Sequence, residues 1–368
     1  MPPSTFGFRM FARLVHTYNS LRFGRNSMEA LIGQAMRESA TLRKTSVPWK
    51  DDEPHPQSYH TFDSATSSWV SKAPSDDAAG SAGDNVGINS IALYSWNIDF
   101  ILPFAEARMK PALAHLGGLV QSGLPNAAPV IFLQECTPAD LVTIAATPWV
   151  RERFHLTDVD ATNWATNHYG TTTLVDSRLP ITAAFRVHYS KTRMDRDAAF
   201  VDVSLQGKTV RLCNTHLESM ALSPPFRPPQ MQILAQFLRE EDKVHAGLVA
   251  GDFNAIQPFD RTLHTDNDLK DAFLELGGEE DTEEGYTWGQ QAATKLREKF
   301  GCSRMDKVYF WGGIELAKFE RFGADVLTEG EKESSEILAL GFEKAWVTDH
   351  LGVKAEVKIV EELDASRL

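Results

Sequence analysis

The chain has 368 residues, 42% of them hydrophobic, a net charge of −13 and three cysteines. No apolar run is long enough to span a bilayer, and Cys136, Cys213 and Cys302 are too few and too scattered for a disulfide framework or a thiolate zinc site, which suits a reducing, intracellular compartment. Residues 1–50 hold eight Lys/Arg and two Asp/Glu, residues 51–90 one Lys and seven acids, and residues 91–368 carry 28 bases against 41 acids, so the body lacks the basic footprint of a protein that grips a long duplex; action on DNA would be at an end or short segment.

Residues 1–44 read as a basic arm, helical in part. Arg9, Arg13, Arg22 and Arg25 lie among Ser and Thr with no acid before Glu29, the composition of a mitochondrial presequence. A short amphipathic or disordered arm is the plainer reading. No adequate apolar core precedes a small-residue cleavage site, so a secretory signal is not expected. Residues 45–87, including "SVPWKDDEPHPQ" and "SKAPSDDAAGSAGDN", are rich in Ser, Pro, Asp, Gly and Ala, and this predicts a disordered linker that buries too little apolar surface to offset its ordering entropy. Folded structure is expected from Ile88, in one domain over 88–362.

In that domain short apolar runs end in polar clusters. "IALYSWN" ends at Asn97, "PVIFLQE" at Glu135, "TVRLCNTH" at His216, "AGLVAGDFN" at Asp252 and Asn254, and "WVTDH" at Asp349 and His350. In the first, Asn97 and Asp99 interrupt an apolar strand, and a buried carboxamide left unpartnered costs about 1–3 kcal/mol. Asn97 therefore needs a partner. Apolar residues on both strand faces require cover on both sides. Helices are expected from Pro103 and over "PPQMQILAQFLREE", where Met231, Leu234 and Leu238 share a stripe. Strands alternating with helices, plus hairpin-like pieces at 181–187, 199–205 and 209–215, predict an α/β fold of two packed sheets with helices outside.

Taken singly, each cluster has an ordinary explanation. "GDFN" reads as a tight turn, Glu135 as a strand-end acid, His216 as a core histidine and "TDH" as a loop. Together they bring carboxylates, amides and imidazoles, without thiolates, to strand ends, where chemistry gathers on a rigid scaffold. That donor set suits Mg²⁺, with Mn²⁺ as the alternative, and phosphate chemistry.

"WNID", "LQE", "NTHLES", "GDFN", "SRMDKV" and "TDH" stand in the order seen in the endonuclease/exonuclease/phosphatase superfamily, which the chain resembles from about Leu93 to Val353. "THLES", "YTW" at 286–288, "KLREKFGCSRMDKVYF" and Arg196 after "SKTRMD" resemble the tyrosyl-DNA phosphodiesterase 2 group within it. The resemblance implies a four-layer, DNase I-like sandwich of two mixed sheets flanked by helices, with the site at one end. It implies that Glu135 and Asp349 serve the metal and that Asp252 orients and deprotonates the attacking water. Asn97 and Asn254 would hold that water and the phosphate. His350, its ring fixed by Asp306, would contact a phosphate oxygen, with His216 opposite. Glu218, Ser219, Trp288 and Arg196 would shape the substrate pocket.

The implied partner is a DNA 5′ end carrying a tyrosyl adduct, in a nuclear, monomeric, membrane-free enzyme of DNA repair; the Arg-rich start keeps a mitochondrial location open. A phenol leaving group, with a pKa of about 10, departs more readily than a sugar alkoxide and suits a site without a dedicated general acid beyond His and metal. Phe253 and Ile256 depart from the group, which often has Thr and Arg there, so grip on the substrate strand is in question. No ubiquitin-binding helical bundle is read in residues 1–44. The competing readings are a general nuclease, abasic-site endonuclease or other phosphoesterase on the same fold, and a DNA-end-binding scaffold without turnover.

Overall fold

The computed structural model describes residues 27–75 and 87–361. Its strands, numbered along the chain, build two mixed sheets. One has the order β1 (Pro54–Pro56), β8 (Ile181–His188), β9 (Asp197–Leu205), β10 (Lys208–His216), β11 (Ala246–Asp252), β13 (Asp306–Gly312) and β12 (Lys270–Asp271). The other has the order β14 (Ile314–Phe322), β15 (Gly352–Ile359), β4 (Ser90–Asn97), β5 (Ala127–Cys136), β7 (Gly170–Asp176), β6 (Phe154–Leu156), β2 (Tyr59–Asp63) and β3 (Ser68–Lys72).

The inner faces meet in one core, where Leu93, Val130, Phe132 and Val353 pack against Val201, Leu212, Leu248 and Phe310. The outer face of the second sheet, with Tyr94, Trp96, Ile131 and Leu133, is covered by helix α2 (Ala105–Ser122) through Met109, Leu113 and Leu116. The outer face of the first is covered by helix α3 (Arg227–Leu238) through Met231, Leu234 and Leu238, the stripe read from the sequence. The result is the expected helix–sheet–sheet–helix sandwich. Burial on both faces explains why β4 and β11 carry almost unbroken apolar runs.

Two expectations are corrected. Residues 45–87 are not a disordered linker throughout: β1 pairs with β8, and β2 pairs with β3 and β6, so residues 54–72 extend both sheets. Trp49 is buried and stacks on His188, with ring centroids 3.9 Å apart. A Ser/Pro/Asp-rich average hid a few spaced aromatics, Trp49, Tyr59 and Trp69, that each reach an existing core, while exposed sheet edges supply the backbone partners. Residues 76–86 of that stretch and most of the arm at 1–26, with the presequence reading, lie outside the described residues. Secondly, "WVTDH" is not a strand. Residues 346–350 are irregular, joined by isolated bridges from Trp346 to Leu327 and from His350 to Trp288. Among the described residues no helix is long and apolar enough to cross a membrane.

Trp49→Ala should lower unfolding free energy by about 3 kcal/mol, from lost burial and the cavity left over β8, read by urea denaturation; a true linker residue would change it by less than about 0.5 kcal/mol. His188 adds a pH dependence. Burial, helped by the Arg186 charge and opposed by Asp197, lowers its pKa to about 4. The unfolded histidine protonates near 6.5, so the unfolded state takes up the proton first as pH falls. Stability should therefore drop by about 3 kcal/mol between pH 6.5 and 4 from this group, and His188→Gln should remove that part of the slope.

Candidate active site

Two parallel strand pairs, one in each sheet, aim their C-terminal ends at the same end of the sandwich. In the pair β4–β5, Asn97 lies beside Gln134, and Glu135 follows. The β5–β7 register shifts between Leu133 and Cys136, and Glu135 takes a left-handed φ of 59°, so a bulge re-aims its side chain. In the pair β10–β11, His216 lies beside Asp252, and across β11–β13 Asp252 lies beside Asp306. Gly251 is required here, because a Cβ would fall 1.8 Å from the Thr215 carbonyl oxygen. The 346–350 loop is tied to β4: Thr348 Oγ1 donates to the Asn97 carbonyl at 2.8 Å and Trp96 Nε1 to the His350 carbonyl at 3.1 Å.

Asn97 has its partners. Its Nδ2 donates to Asp252 Oδ2 at 3.0 Å, and its Oδ1 accepts the Asp99 N–H at 2.9 Å. Asp252 Oδ1 accepts the Asn254 N–H at 2.8 Å, and His216 Nε2 lies 3.3 Å from Oδ2. Burial alone would raise the Asp252 pKa; His216 and His350 outweigh it and hold the carboxyl well below the usual range. His350 Nδ1 lies 2.8 Å from Asp306 Oδ2. Burial disfavours the imidazolium, but Asp306 outweighs it, with Asp349 and Asp252 adding, and the His350 pKa rises well above the ordinary value. His216 Nδ1 lies 2.7 Å from a guanidinium nitrogen of Arg196. A guanidinium only donates, so Nδ1 accepts; Nε2 lies between Asp252 Oδ2 at 3.3 Å and the Asn254 amide group, whose Nδ2 is 3.0 Å away. Asn254 Nδ2 donates to the Leu217 carbonyl at 3.1 Å, which fixes the turn after β11.

A second group of carboxylates sits beside this one. Asp99, not singled out for a role by sequence, is buried, and its Oδ2 has no hydrogen-bond partner among the described residues. Burial, then the charges of Asp349 and Glu135, push its pKa well above the usual range. Asp349 is also raised, by burial and by Glu135, against His350 and the Trp288 indole, whose Nε1 donates to Oδ2 at 2.7 Å. Three oxygen donors that repel one another in a nearly dry place, with one orphaned oxygen, fit a divalent cation of the Mg²⁺ or Mn²⁺ type. Among the described residues, ligand atoms of Asp252, Asp306 and His350 all lie within 4.8 Å of one another, a closeness that Asp99, Glu135 and Asp349 do not share. There, however, the His350 ring is committed to Asp306, and Asp252 to Asn97 and Asn254. The donors with spare capacity are Asp99, Glu135 and Asp349.

Arg108 of α2 is a further residue not foreseen. Wholly buried, it gives its donors to the carbonyls of Ile98, Asp99, Leu102, Pro103 and Val347 at 2.5–3.0 Å. It clamps the loop carrying Asp99 to the loop carrying Asp349. A charged residue within the helical stretch after Pro103 reads as a solvent-facing one; only the unusual need of two loops for donors distinguishes it.

These groups open onto a cleft of about 750 Å³ lined by Glu135, Arg196, His216, Ser219, Trp288 and His350, among others. Glu218 does not face it. Its carboxylate accepts the Arg193 N–H at 2.7 Å and Thr192 Oγ1 at 3.2 Å, so it holds the 192–193 loop from beneath. The "THLES" turn directs it inward, which the expectation of a pocket-lining role missed. Arg196 acts mainly through His216 and lies over the Tyr169 ring, 5.4 Å from its centroid. Ile256 lines the cleft, and Arg193, Arg261 and Lys299 are among the cations that line it too.

The sequence model of the Endonuclease/Exonuclease/phosphatase family matches residues 94–350. A 5′-tyrosyl-DNA phosphodiesterase of Caenorhabditis elegans is 26% identical over 253 residues, which cover 68% of this chain and 65% of that protein, so the chain spans less than two thirds of it. Tyrosyl-DNA phosphodiesterase 2 of Homo sapiens is 24% identical over 333 residues, 88% of this chain and 82% of the relative. Among solved structures, truncated Caenorhabditis elegans TDP2 superposes with a TM-score of 0.55 at 21% identity, over 73% of this chain and 97% of the other. D. rerio TDP2 complexed with single strand DNA product gives 0.57 at 17% identity, over 73% and 99%. These likenesses show the fold.

Mg²⁺ or Mn²⁺ should raise the thermal midpoint, because the cation binds carboxylates that the fold has already brought together. Glu135→Gln and Asp349→Asn should each abolish most of that rise in differential scanning fluorimetry. An unchanged rise in both variants would move the cation elsewhere.

Proposed function

The chain belongs to the endonuclease/exonuclease/phosphatase family, and from that premise we propose that it is a divalent-metal-dependent phosphodiesterase acting on 5′-phosphotyrosyl DNA ends in DNA repair and leaving a 5′ phosphate. The observation that carries this reading is the convergence, in one cleft, of Asp252 held by Asn97, Asn254 and His216, His350 backed by Asp306, and the Asp99–Glu135–Asp349 group. The named relatives support the substrate class.

Glu135, Asp349 and Asp99 would hold the cation. When bound, it supplies positive charge to the phosphate oxygens and lowers the pKa of water. His216 and His350 hold the Asp252 carboxyl well below the usual range, and Asn97, the Asn254 N–H and His216 fix its orientation. A carboxylate held so low is a weak resting base, so its first task is to align the water oxygen; it then takes the water proton as the new P–O bond forms. His350, protonated through Asp306, presents Nε2–H to a non-bridging phosphate oxygen and offsets developing charge there. Arg196 fixes the His216 ring through Nδ1, with Nε2 facing Asp252 and Asn254. The P–O bond to the tyrosine breaks, and the phenolate leaves without a dedicated acid and is protonated by solvent. Arg193, Arg261 and Lys299 supply local positive charge on an acidic body, which suits grip on a short terminal segment.

The test is turnover of a 5′-tyrosyl oligonucleotide, plain duplex and abasic duplex, with Mg²⁺ and with EDTA. Release of 5′ phosphate from the tyrosyl strand alone, lost in EDTA, is expected. Efficient nicking of plain or abasic duplex would favour a general or abasic-site nuclease, and end binding without turnover a scaffold. Asp252→Asn should lower kcat by about 10²- to 10⁴-fold with the fold intact.

A further inference from the structure

Helix α1 (Met28–Leu42) precedes the segment that matches the family, yet it is built into the cleft. Near its start, Met28, Leu31 and Ile32 pack with Ile101, Leu102, Leu296 and Leu340. Further along, Ala35 packs with Phe100 and Tyr169. At its end the Leu42 carbonyl accepts the Asn167 N–H at 3.3 Å, Lys44 N–H donates to Ala165 at 3.0 Å, and Arg43 pairs with Asp195 at 3.1 Å. Fifteen residues rising 1.5 Å each span about 22 Å. The helix therefore bridges from the wall that carries Leu296 and Leu340 to the wall that carries Tyr169 and Asp195. Met28, Ile32, Gly33, Ala35 and Arg37 line the cleft between them.

We propose that α1 is a specificity element that bounds the cleft so that it takes a single-stranded 5′ end and rejects a base-paired one. The proposal rests on the phosphodiesterase reading above and adds the determinant of strand state. A cleft of about 750 Å³ falls in the range that encloses a drug-sized ligand. A terminal nucleotide with an aryl group is of that size; a paired end is not. With α1 in place, a paired end must fray before its 5′ phosphate reaches Asp252, and unpairing costs a few kcal/mol. The helix is held by side-chain packing near its start and at Ala35, and at its end by backbone bonds and the Arg43–Asp195 ion pair. Weakening these contacts would free the helix from the cleft and remove the need to fray.

The experiment compares kcat/KM for a 5′-tyrosyl single strand with that for the same strand annealed as a blunt duplex, so the scissile bond is constant. Thymidine 5′-monophosphate p-nitrophenyl ester, small enough for either state of the helix, is the reference substrate. The wild type should prefer the single strand by about tenfold or more. Leu31→Asp, which disrupts packing without altering a lining residue, and Arg43→Ala, which removes the anchor to Asp195, should each cut that preference at least about fivefold by raising the duplex rate. Arg43→Ala changes a half-exposed side chain and carries the test where Leu31→Asp does not fold. A smaller change, no preference in the wild type, or a preference lost only through a slower single-strand reaction overturns the assignment. Wild-type failure on all three substrates would instead overturn the phosphodiesterase reading.

Discussion

Negative charge held out of water is the constraint on which this site depends. Asp99, Glu135, Asp252, Asp306 and Asp349 are gathered at one end of two sheets, with side chains between fully buried and 13% exposed. Burial raises Asp99, Asp306 and Asp349. The fold supplies offsets unevenly. His350 answers Asp306, and His216, Asn97 and a backbone N–H answer Asp252. Around Asp99, Glu135 and Asp349 the offsets are the buried Arg108, the Ile101 and Leu102 N–H groups on Asp99 Oδ1, the Phe100 N–H on Glu135 at 3.1 Å with His216 Nδ1 3.8 Å away, and the Trp288 indole on Asp349 with His350 Nε2 at 3.8 Å. Asp99 Oδ2, left without a partner among the described residues beside two like charges, is the physical case for a cation there. Arg108 spends its hydrogen bonds on carbonyls, so it shapes the loops and lends charge without occupying a carboxylate.

Strand direction sets who meets whom. Parallel pairs in both sheets bring Asn97, Glu135, His216 and Asp252 to one edge, and antiparallel β13 adds Asp306 at its start. The loops then complete the site. Thr348 and Trp96 fasten the Asp349–His350 turn to β4, and Glu218 fastens the turn before Arg196. Each reacting group is thus held by a rigid element or by two bonds from one, as preorganised electrostatic catalysis requires. Helix α1 stands apart. It packs on Ile101, Leu102, Phe100 and Tyr169 and bounds the cleft from outside the two sheets.

Much of this was legible because each functional residue sits where an apolar run stops: Asn97, Glu135, His216, Asp252 and Asn254 mark strand ends in the sequence and in the structure. Asp349 and His350 were found by the same rule although their segment is a loop, since tight anchoring to β4 gives it the apolar residues of a strand. What stayed hidden depends on direction rather than composition. Asp99 turns inward through a left-handed backbone, with φ 58°. Arg108 aims at carbonyls that no periodicity reveals. Glu218 points beneath the cleft although its motif neighbours open onto it. Residues 49–72 hold too few apolar groups to signal order alone, and they fold by borrowing sheet edges formed far along the chain.

Crystals soaked in Mn²⁺ and measured at its absorption edge would test the central claim most directly. The account predicts one anomalous peak in contact with Glu135 and Asp349, beside Asp99. A peak seated instead among Asp252, Asp306 and His350, or none at saturating Mn²⁺, would contradict it.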